Sequence, residues 1–470
     1  YIIILMKYPN ITELVLRDGQ QSLIATRMTL EDMTPILSKL DNIGFSSLEV
    51  WGGATYDCCL RFLNENPWER LKVIKSNVKK TKLQMLLRGK NLVGYKKFDD
   101  TVIDLFIKKS SENGINIFRI FDALNDINNI SYSIECANKY DSNSQGTISY
   151  TTSPIHNEKY WLKLAKDIED IGAKSLGIKD MAGLLKPKTA YSLIKKLKKN
   201  LNIPIHLHTH ATTGLSDATN FKAFEAGVDN IDTSISSFSN LYGHTATESL
   251  ISMIYDNDDN PFNMTELAEI SDYFQNIRNK YSQYEGSMKG VDIQMLTNQV
   301  PGGMLSILQK QLFDLNKLDK LDDLIKEIPK IRKDVGYIPL VTPTSQIIGA
   351  QALLNVLDNK RYKNLNKEFV DLVIGNYGRI PGEVNTSLLK IIEAKYYDNN
   401  DETLTVENAK DSFKKYCNQN NLKTLYKNDT DLLNFILFPK ESMEFYNKSS
   451  VLSMNDLIKL QEGFGFYMSD

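Results

Sequence analysis

The chain has 470 residues, 42% of them hydrophobic, and its 56 basic and 58 acidic side chains leave a formal charge of -2. At about 100–200 residues per domain, this is chain enough for a large core and a second unit. No basic excess marks a nucleic-acid binder and no charge block longer than a few residues suggests a solvating tail, which directs attention to small molecules and proteins as partners.

The opening run Tyr1-Ile2-Ile3-Ile4-Leu5 is apolar. It is far short of the roughly 20 residues of a spanning helix or the apolar stretch of about 7–15 in a signal peptide, and is read as local packing. Cys58, Cys59, Cys136 and Cys417 lack metal-binding spacing. They read as reduced thiols in a cytoplasmic protein.

Short apolar or β-branched runs then recur at intervals of roughly 30 positions, the span of a strand-helix-strand unit. They are Glu13 to Leu16, Ser47 to Trp51, Leu83 to Leu87, Ile117 to Phe121, Thr147 to Thr151, Ser175 to Ile178, Pro204 to His208 and Asn230 to Ser234. Between them, Asp32 to Gly44, Asp99 to Gly114, Glu158 to Gly172, Lys188 to Leu201 and Ala218 to Gly227 carry apolar residues at helical spacing, and most close on a glycine. This alternation predicts an α/β fold, a (β/α)8 TIM barrel, over residues 1–255. A doubly wound sheet is the competitor, weakened because no Gly-x-Gly-x-x-Gly follows a strand.

A barrel puts its chemistry where strands end. Here the ends carry Arg17-Asp18-Gly19-Gln20-Gln21-Ser22, Arg88-Gly89, Asp122, Lys179-Asp180 and His208-Thr209-His210. Side chains alternate along a strand, so His206, His208 and His210 share one face, and two of them can grip one metal ion. Parity leaves open which two; His206 lies deeper and reads as packing. Two histidines with a carboxylate suit zinc, manganese or cobalt. Asp18 is the favoured carboxylate, because the first strand closes the barrel near the seventh. Lys179, taken alone, is a rim lysine paired with Asp180 or with substrate.

Together with LEVWGGATYD at Leu48 to Asp57, MLLRG at Met85 to Gly89, FRIFDALN at Phe118 to Asn125, IKDMAG at Ile178 to Gly183, HTHATTG at His208 to Gly214, QVPGGM at Gln299 to Met304 and LVTPTSQ at Leu340 to Gln346, these ends resemble the carboxyltransferase domain of biotin-dependent enzymes. That family includes pyruvate carboxylase and its split B subunit, the oxaloacetate decarboxylase alpha subunit and the transcarboxylase pyruvate-binding subunit. The resemblance runs from about residue 10 to about residue 440. It implies that Asp18, His208 and His210 hold a divalent metal, zinc ahead of manganese or cobalt, and that Lys179, as a carbamate, completes the set. Arg17, Gln21 and Arg88 then surround pyruvate or oxaloacetate, Asp57, Tyr95 and Ser345 line the biotin pocket, and Thr342 passes a proton between biotin and the methyl carbon of pyruvate. Read alone, Thr342 is a turn residue before Pro343, Arg88 a salt-bridge arginine and Tyr95 a loop aromatic.

The chain departs from many relatives at Gly19 and Gln20, where alanine and histidine are common, so any role of that histidine is lost. Gln346, where single-chain pyruvate carboxylases carry lysine, and Tyr242-Gly243-His244 resemble the decarboxylase branch. His244 itself reads as a loop or helix-start residue.

Residues 256–470 read as a mainly helical funnel over the barrel mouth, with helices at Glu266 to Tyr284, Gly303 to Phe313, Ser345 to Leu357, Lys367 to Gly375, Glu383 to Ala394 and Val406 to Cys417, and a loop at Asp398 to Glu402. No Ala-Met-Lys-Met biotinylation signal occurs, none of the residues from Gln461 to Asp470 suggests a carrier domain, and no ATP-grasp-like segment is present. The expected partners are therefore a biotin carboxyl carrier protein on another chain or a missing segment, and a biotin carboxylase subunit or decarboxylase membrane subunits. The resemblance also implies a homodimer. Two alternatives compete. One is an acyl-CoA condensing or lyase enzyme on the same metal barrel, disfavoured by Ala211 where those relatives have aspartate. The other is a non-catalytic scaffold, which has no need of the rim residues.

Overall fold

The computed structural model describes residues 8–94, 96–256, 259–300, 302–394, 405–419 and 428–446. Tyr1 to Leu5, Tyr95, the expected loop at Asp398 to Glu402 and the segment Gln461 to Asp470 lie outside them. Eight parallel strands close in sequence order into one barrel: β1 (Asn10–Glu13), β2 (Ser47–Trp51), β3 (Lys82–Leu87), β4 (Ile115–Phe121), β5 (Asn143–Ser149), β6 (Ser175–Asp180), β7 (Ile205–Thr209) and β8 (Asn230–Thr233). Helices such as Asp100–Glu112, Ile127–Lys139, Glu158–Asp170 and Pro187–Asn200 cover the outside. Side-chain caps from Asp99, Asp126 and Asn157 start the first three of these by accepting from orphan backbone N–H groups.

Three local readings shift. β1 ends at Glu13 rather than starting there, because the Glu13 carboxylate turns back and accepts from Leu14 N at 3.1 Å and Val15 N at 3.0 Å. The chain then winds through a π-helical turn, Val15–Gly19, in which Gly19 N reaches Leu14 O at 2.9 Å, so Asp18 arrives on a helical turn instead of an open loop. β5 lies earlier than expected, paired through Asn143 to Thr147 with β4. The expected end of that strand is held elsewhere: Arg332 donates to Thr151 Oγ1 and Thr152 O. The helix expected from Asp32 breaks into Leu30–Met33, Thr34–Ile36 and Leu37–Asn42, since Pro35 brings no N–H to the ladder.

One hydrophobic cluster fills the space between strands and outer helices, and it includes residues from near the chain's end: Phe413, Leu432, Ile436 and Tyr446. The helix Asp429–Leu437 docks there through the buried Asn434, whose Oδ1 accepts from Tyr56 Oη at 2.5 Å and Trp68 Nε1 at 3.1 Å. A second cluster runs from Val300 to Ile392 through the helices Gly302–Asp314, Leu321–Asp334, Thr344–Leu357, Lys367–Val373 and Thr386–Glu393. Polar ties seat this helical region on the barrel: Gln299 Nε2 donates to Thr152 Oγ1 at 2.9 Å, Asn129 Nδ2 to Tyr377 O at 2.9 Å, and Arg379 N to Asp126 Oδ2 at 2.8 Å.

Candidate metal centre at the barrel mouth

Parallel register sets Lys179 of β6 directly beside His208 of β7. Both side chains enter the barrel, and Lys179 Nζ stands 2.7 Å from His208 Nε2 and 3.3 Å from Asp18 Oδ2. His210 follows β7, with its Nε2 3.3 Å from His208 Nε2 and 3.9 Å from Asp18 Oδ2. The loop after β6 can lie against this segment only because Gly183, at φ +66, has no side chain; a Cβ there would stand 2.7 Å from His210 O.

A further imidazole joins them. His244 is fully buried, its backbone bridged to His210, and its Nε2 lies 3.7 Å from Asp18 Oδ2. Asp18, His208, His210 and His244 each offer a ligand atom, all within 4.8 Å of one another. The sequence reading of His244 as a loop residue missed this. Its place beside His210 is made by a bridge across the closed barrel, which the linear sequence does not display.

The three imidazoles are held alike. His208 Nδ1 meets Asp232 Oδ2 at 2.8 Å, His210 Nδ1 meets Tyr242 O at 2.8 Å, and His244 Nδ1 meets Thr209 O at 3.2 Å. Each acceptor fixes the proton on Nδ1 and leaves the Nε2 lone pair facing the cluster. Burial pushes His210 down to about 3, and burial with the neighbouring Lys179 charge holds His208 well below the usual histidine range, so both are neutral donors. Asp18 is also held well below its usual value: burial opposes ionisation, but the Arg17 and Lys179 charges outweigh it. Burial brings Lys179 down to about 8 against the pull of Asp18.

Beneath the cluster lies a buried charge network that sequence reasoning did not identify. Arg17 bonds Asp18 Oδ2 at 2.7 Å and Glu49 through both Nε and Nη2, and its Nη1 donates to Gln21 Oε1 at 3.2 Å. Arg119 links Glu49 to Asp232, which it grips with both terminal nitrogens. Each buried charge thus has an opposite partner, the condition for holding it out of water.

The structure brings Asp18, Lys179, His208, His210, Arg17 and Gln21 together. His206 stays out of the ligand set; burial takes it down to about 4. Arg88 is half-buried at the rim, donating to Gly94 O at 2.5 Å. Asp57 pairs with Arg61 at 3.0 Å, and burial raises its carboxyl. Ser345 is buried in the first turn of the helix Thr344–Leu357, while Thr342, just before it, is exposed and makes no hydrogen bond to the cluster among the described residues.

Two family models match the chain: HMGL-like over residues 8–274 and a conserved carboxylase domain over residues 295–467. The pyruvate carboxylase B subunit of Methanocaldococcus jannaschii is 45% identical over 441 residues, 93% of this chain and 77% of that one. The methylmalonyl-CoA carboxyltransferase 5S subunit of Propionibacterium freudenreichii subsp. shermanii is 42% identical over 93% of this chain and 87% of its own. Among solved structures, the carboxyl transferase domain of Rhizobium etli pyruvate carboxylase with pyruvate and biocytin superposes with a TM-score of 0.87 at 30% identity, covering 94% of this chain and 78% of that one. No helix of the described residues is long and apolar enough to cross a membrane.

Proposed function

The chain belongs to the carboxyltransferase family of biotin-dependent enzymes, which includes the pyruvate carboxylase B subunit, and from that premise we propose that it moves a carboxyl group between carboxybiotin and pyruvate, with oxaloacetate at the other end of the exchange. The observation that carries this reading is the buried Asp18, Lys179, His208 and His210 cluster with Arg17 and Gln21 bonded beside it.

The cluster fits a divalent metal. The two strand-end imidazoles direct Nε2 lone pairs toward an ionised carboxylate, a mixed nitrogen and oxygen set that suits zinc ahead of manganese or cobalt. When bound, the ion supplies a Lewis acid for the keto oxygen of the substrate. Lys179 is assigned to the same set as its carbamate. An ammonium 2.7 Å from His208 Nε2 competes for the ligand lone pair, whereas a carbamate offers an oxygen instead.

The substrate carboxylate is assigned to Arg17 Nη1, Gln21 and Arg88. Most of the Arg17 guanidinium is spent on Asp18 and Glu49, which fixes its plane and leaves the Nη1 edge, shared with Gln21, for recognition. Thr342 is assigned to the proton step. A hydroxyl donates and accepts at once, so it can carry the methyl proton of pyruvate to biotin as the carboxyl group leaves biotin for the methyl carbon. Its exposure ahead of the helix Thr344–Leu357 suits a group that meets an incoming carrier. Asp57, Tyr95 and Ser345 are assigned to the biotin pocket.

The same reading divides the chain into a barrel over residues 1–255 and a helical unit over residues 256–470. Its partners are a biotin carboxyl carrier protein with a biotin carboxylase subunit or decarboxylase membrane subunits, its assembly a homodimer and its compartment the cytoplasm. The test is oxaloacetate decarboxylation by the purified protein, assayed with and without free biotin. Biotin-stimulated turnover is expected; turnover indifferent to biotin would favour the acyl-CoA lyase alternative and overturn the reading.

A further inference from the structure

We infer that a cavity between the loops that follow β5 and β6 is a second binding site, for a small organic anion: a carboxylate or phosphate group carried on a flat apolar body. The cavity shares no residue with the metal cluster, and the inference does not depend on the carboxyl-transfer reading. Its walls are those two loops and the first turns of the helices Glu158–Asp170 and Pro187–Asn200. At about 280 Å³ it lies at the small end of ligand pockets, which start near 300 Å³. Tyr150 and Trp161, with ring centroids 5.3 Å apart, give it an aromatic wall, and Leu184 and Leu193 add aliphatic surface. Such a lining takes a flat apolar body.

His156 supplies the directing group on this wall. It is 6% exposed, and its ring is fixed by stacking on Trp161 at a centroid distance of 5.1 Å and by the edge of Tyr160 at 4.8 Å. Ser153 Oγ accepts from the Ile155 and His156 amides at 3.2 and 3.3 Å. With both lone pairs engaged, its hydroxyl donates to His156 Nδ1, 2.7 Å away, and the imidazole proton stands on Nε2. That Nε2 is buried and has no hydrogen-bond partner among the described residues. A buried N–H without an acceptor is costly, and an acceptor on a ligand relieves the cost.

Charge makes that acceptor an anion. Arg332 is also 6% exposed, and it bonds only neutral acceptors: Thr151 Oγ1 at 2.9 Å, Thr152 O at 3.1 Å, Gln299 Oε1 at 2.6 Å and Ile338 O at 2.8 Å. Among the described residues no carboxylate pairs with it, so its charge stands uncompensated beside Thr152, which lines the cavity. Burial, with the Arg332 charge added, takes His156 down to about 3 and keeps the ring neutral. Lys186, on the rim, is the N-cap of the helix Pro187–Asn200 and gives its first turn no side-chain acceptor, which leaves the positive helix end open on the same wall. Glu158, the acidic residue of the lining, is committed to Lys196.

The test is isothermal titration of the full chain with benzoate, phenyl phosphate and benzylamine. Wild type should bind about one benzoate or phenyl phosphate per chain and no benzylamine, and the tighter of the two anions names the charged group. His156→Phe keeps a flat ring and removes the Nε2 hydrogen, and Lys186→Glu reverses the charge at an exposed position. Each should weaken anion binding about 10-fold or more. Arg88→Ala, at the substrate end of the barrel mouth, should keep this binding, which separates the cavity from the carboxylate site assigned to Arg17, Gln21 and Arg88. Circular dichroism checks that His156→Phe folds; if it does not, Lys186→Glu carries the comparison. Wild-type affinity in folded Lys186→Glu, loss of anion binding in Arg88→Ala, equal binding of benzylamine, or no saturable binding of either anion overturns the inference.

Discussion

Asp232 Oδ2 meets His208 Nδ1 at 2.8 Å while Arg119 holds the same carboxylate with both terminal nitrogens. The carboxylate therefore sets the His208 tautomer, and the arginine sets the carboxylate. Asp232→Asn can turn its amide hydrogens toward Nδ1, moving the imidazole proton to Nε2, the atom assigned to the proposed metal. Metal affinity is expected to fall roughly 10–100-fold. Titration of the metal-free variant with Co²⁺ measures it, and unchanged affinity would show that Asp232 does not control the ligand.

Two threonines, on either side of Pro343, should respond in opposite ways. Thr344 is buried, and its hydroxyl meets Pro339 O at 2.6 Å and Val341 O at 2.8 Å while Val341 N approaches it at 3.2 Å. Thr344→Ala should cost on the order of 1 kcal/mol in urea unfolding. Thr342 is exposed. Thr342→Ala should leave the unfolding midpoint and the metal content at wild-type values and abolish biotin-stimulated oxaloacetate decarboxylation. Wild-type turnover in Thr342→Ala refutes the proton relay.

Asn434 fastens the helix Asp429–Leu437 to the barrel wall. It is fully buried, accepts from Tyr56 Oη and Trp68 Nε1, and donates to Tyr446 Oη at 3.0 Å. Asn434→Ala strands several buried polar groups at once and should destabilise by on the order of 3 kcal/mol. A urea midpoint equal to wild type would mean that apolar packing alone seats the helix.

Periodicity located the barrel because closed parallel strands are buried on both sides and stand out as apolar runs; Ser47–Trp51 lies where the run predicts. It misplaced β1 because a side chain, the Glu13 carboxylate, ends that strand by bonding its own following backbone. Strand parity narrowed the candidate metal donors to the histidines of one segment, barrel order added Asp18, and the structure brings Asp18, His208 and His210 within reach of one another. His244 and Asp232 lay beyond such reasoning. Each matters through a contact across the closed barrel, at residues 34 and 24 positions from their nearest histidine partners, His210 and His208, which only register fixes. The return of the helix Asp429–Leu437 was hidden for the same reason: Asn434 reads as an ordinary polar residue until it meets Tyr56.

Glu13 gives the barrel a pH dependence of stability apart from the metal cluster. Burial raises its carboxyl to about 8, against hydrogen bonds from Thr247 Oγ1 and from the Ile235 and Val15 amides that favour the charged form. In the unfolded chain it titrates near 4.5. Between these values the folded state binds a proton that the unfolded state does not, so stability falls as pH rises, by about 1.4 kcal/mol per pH unit from this group, and levels off above the folded value. Glu13→Gln keeps an acceptor for the amides, and the Thr247 hydroxyl can turn to Thr233 Oγ1, 2.8 Å away. Asp122 and Asp180, both raised to about 6 by burial, titrate in the same window in either protein and cancel in the difference. Thermal unfolding of the two proteins from pH 5 to pH 9 should therefore show a shallower decline for Glu13→Gln, with the variant gaining on wild type up to about pH 8. Parallel profiles would show that Glu13 is ionised in the fold, its hydrogen bonds outweighing burial.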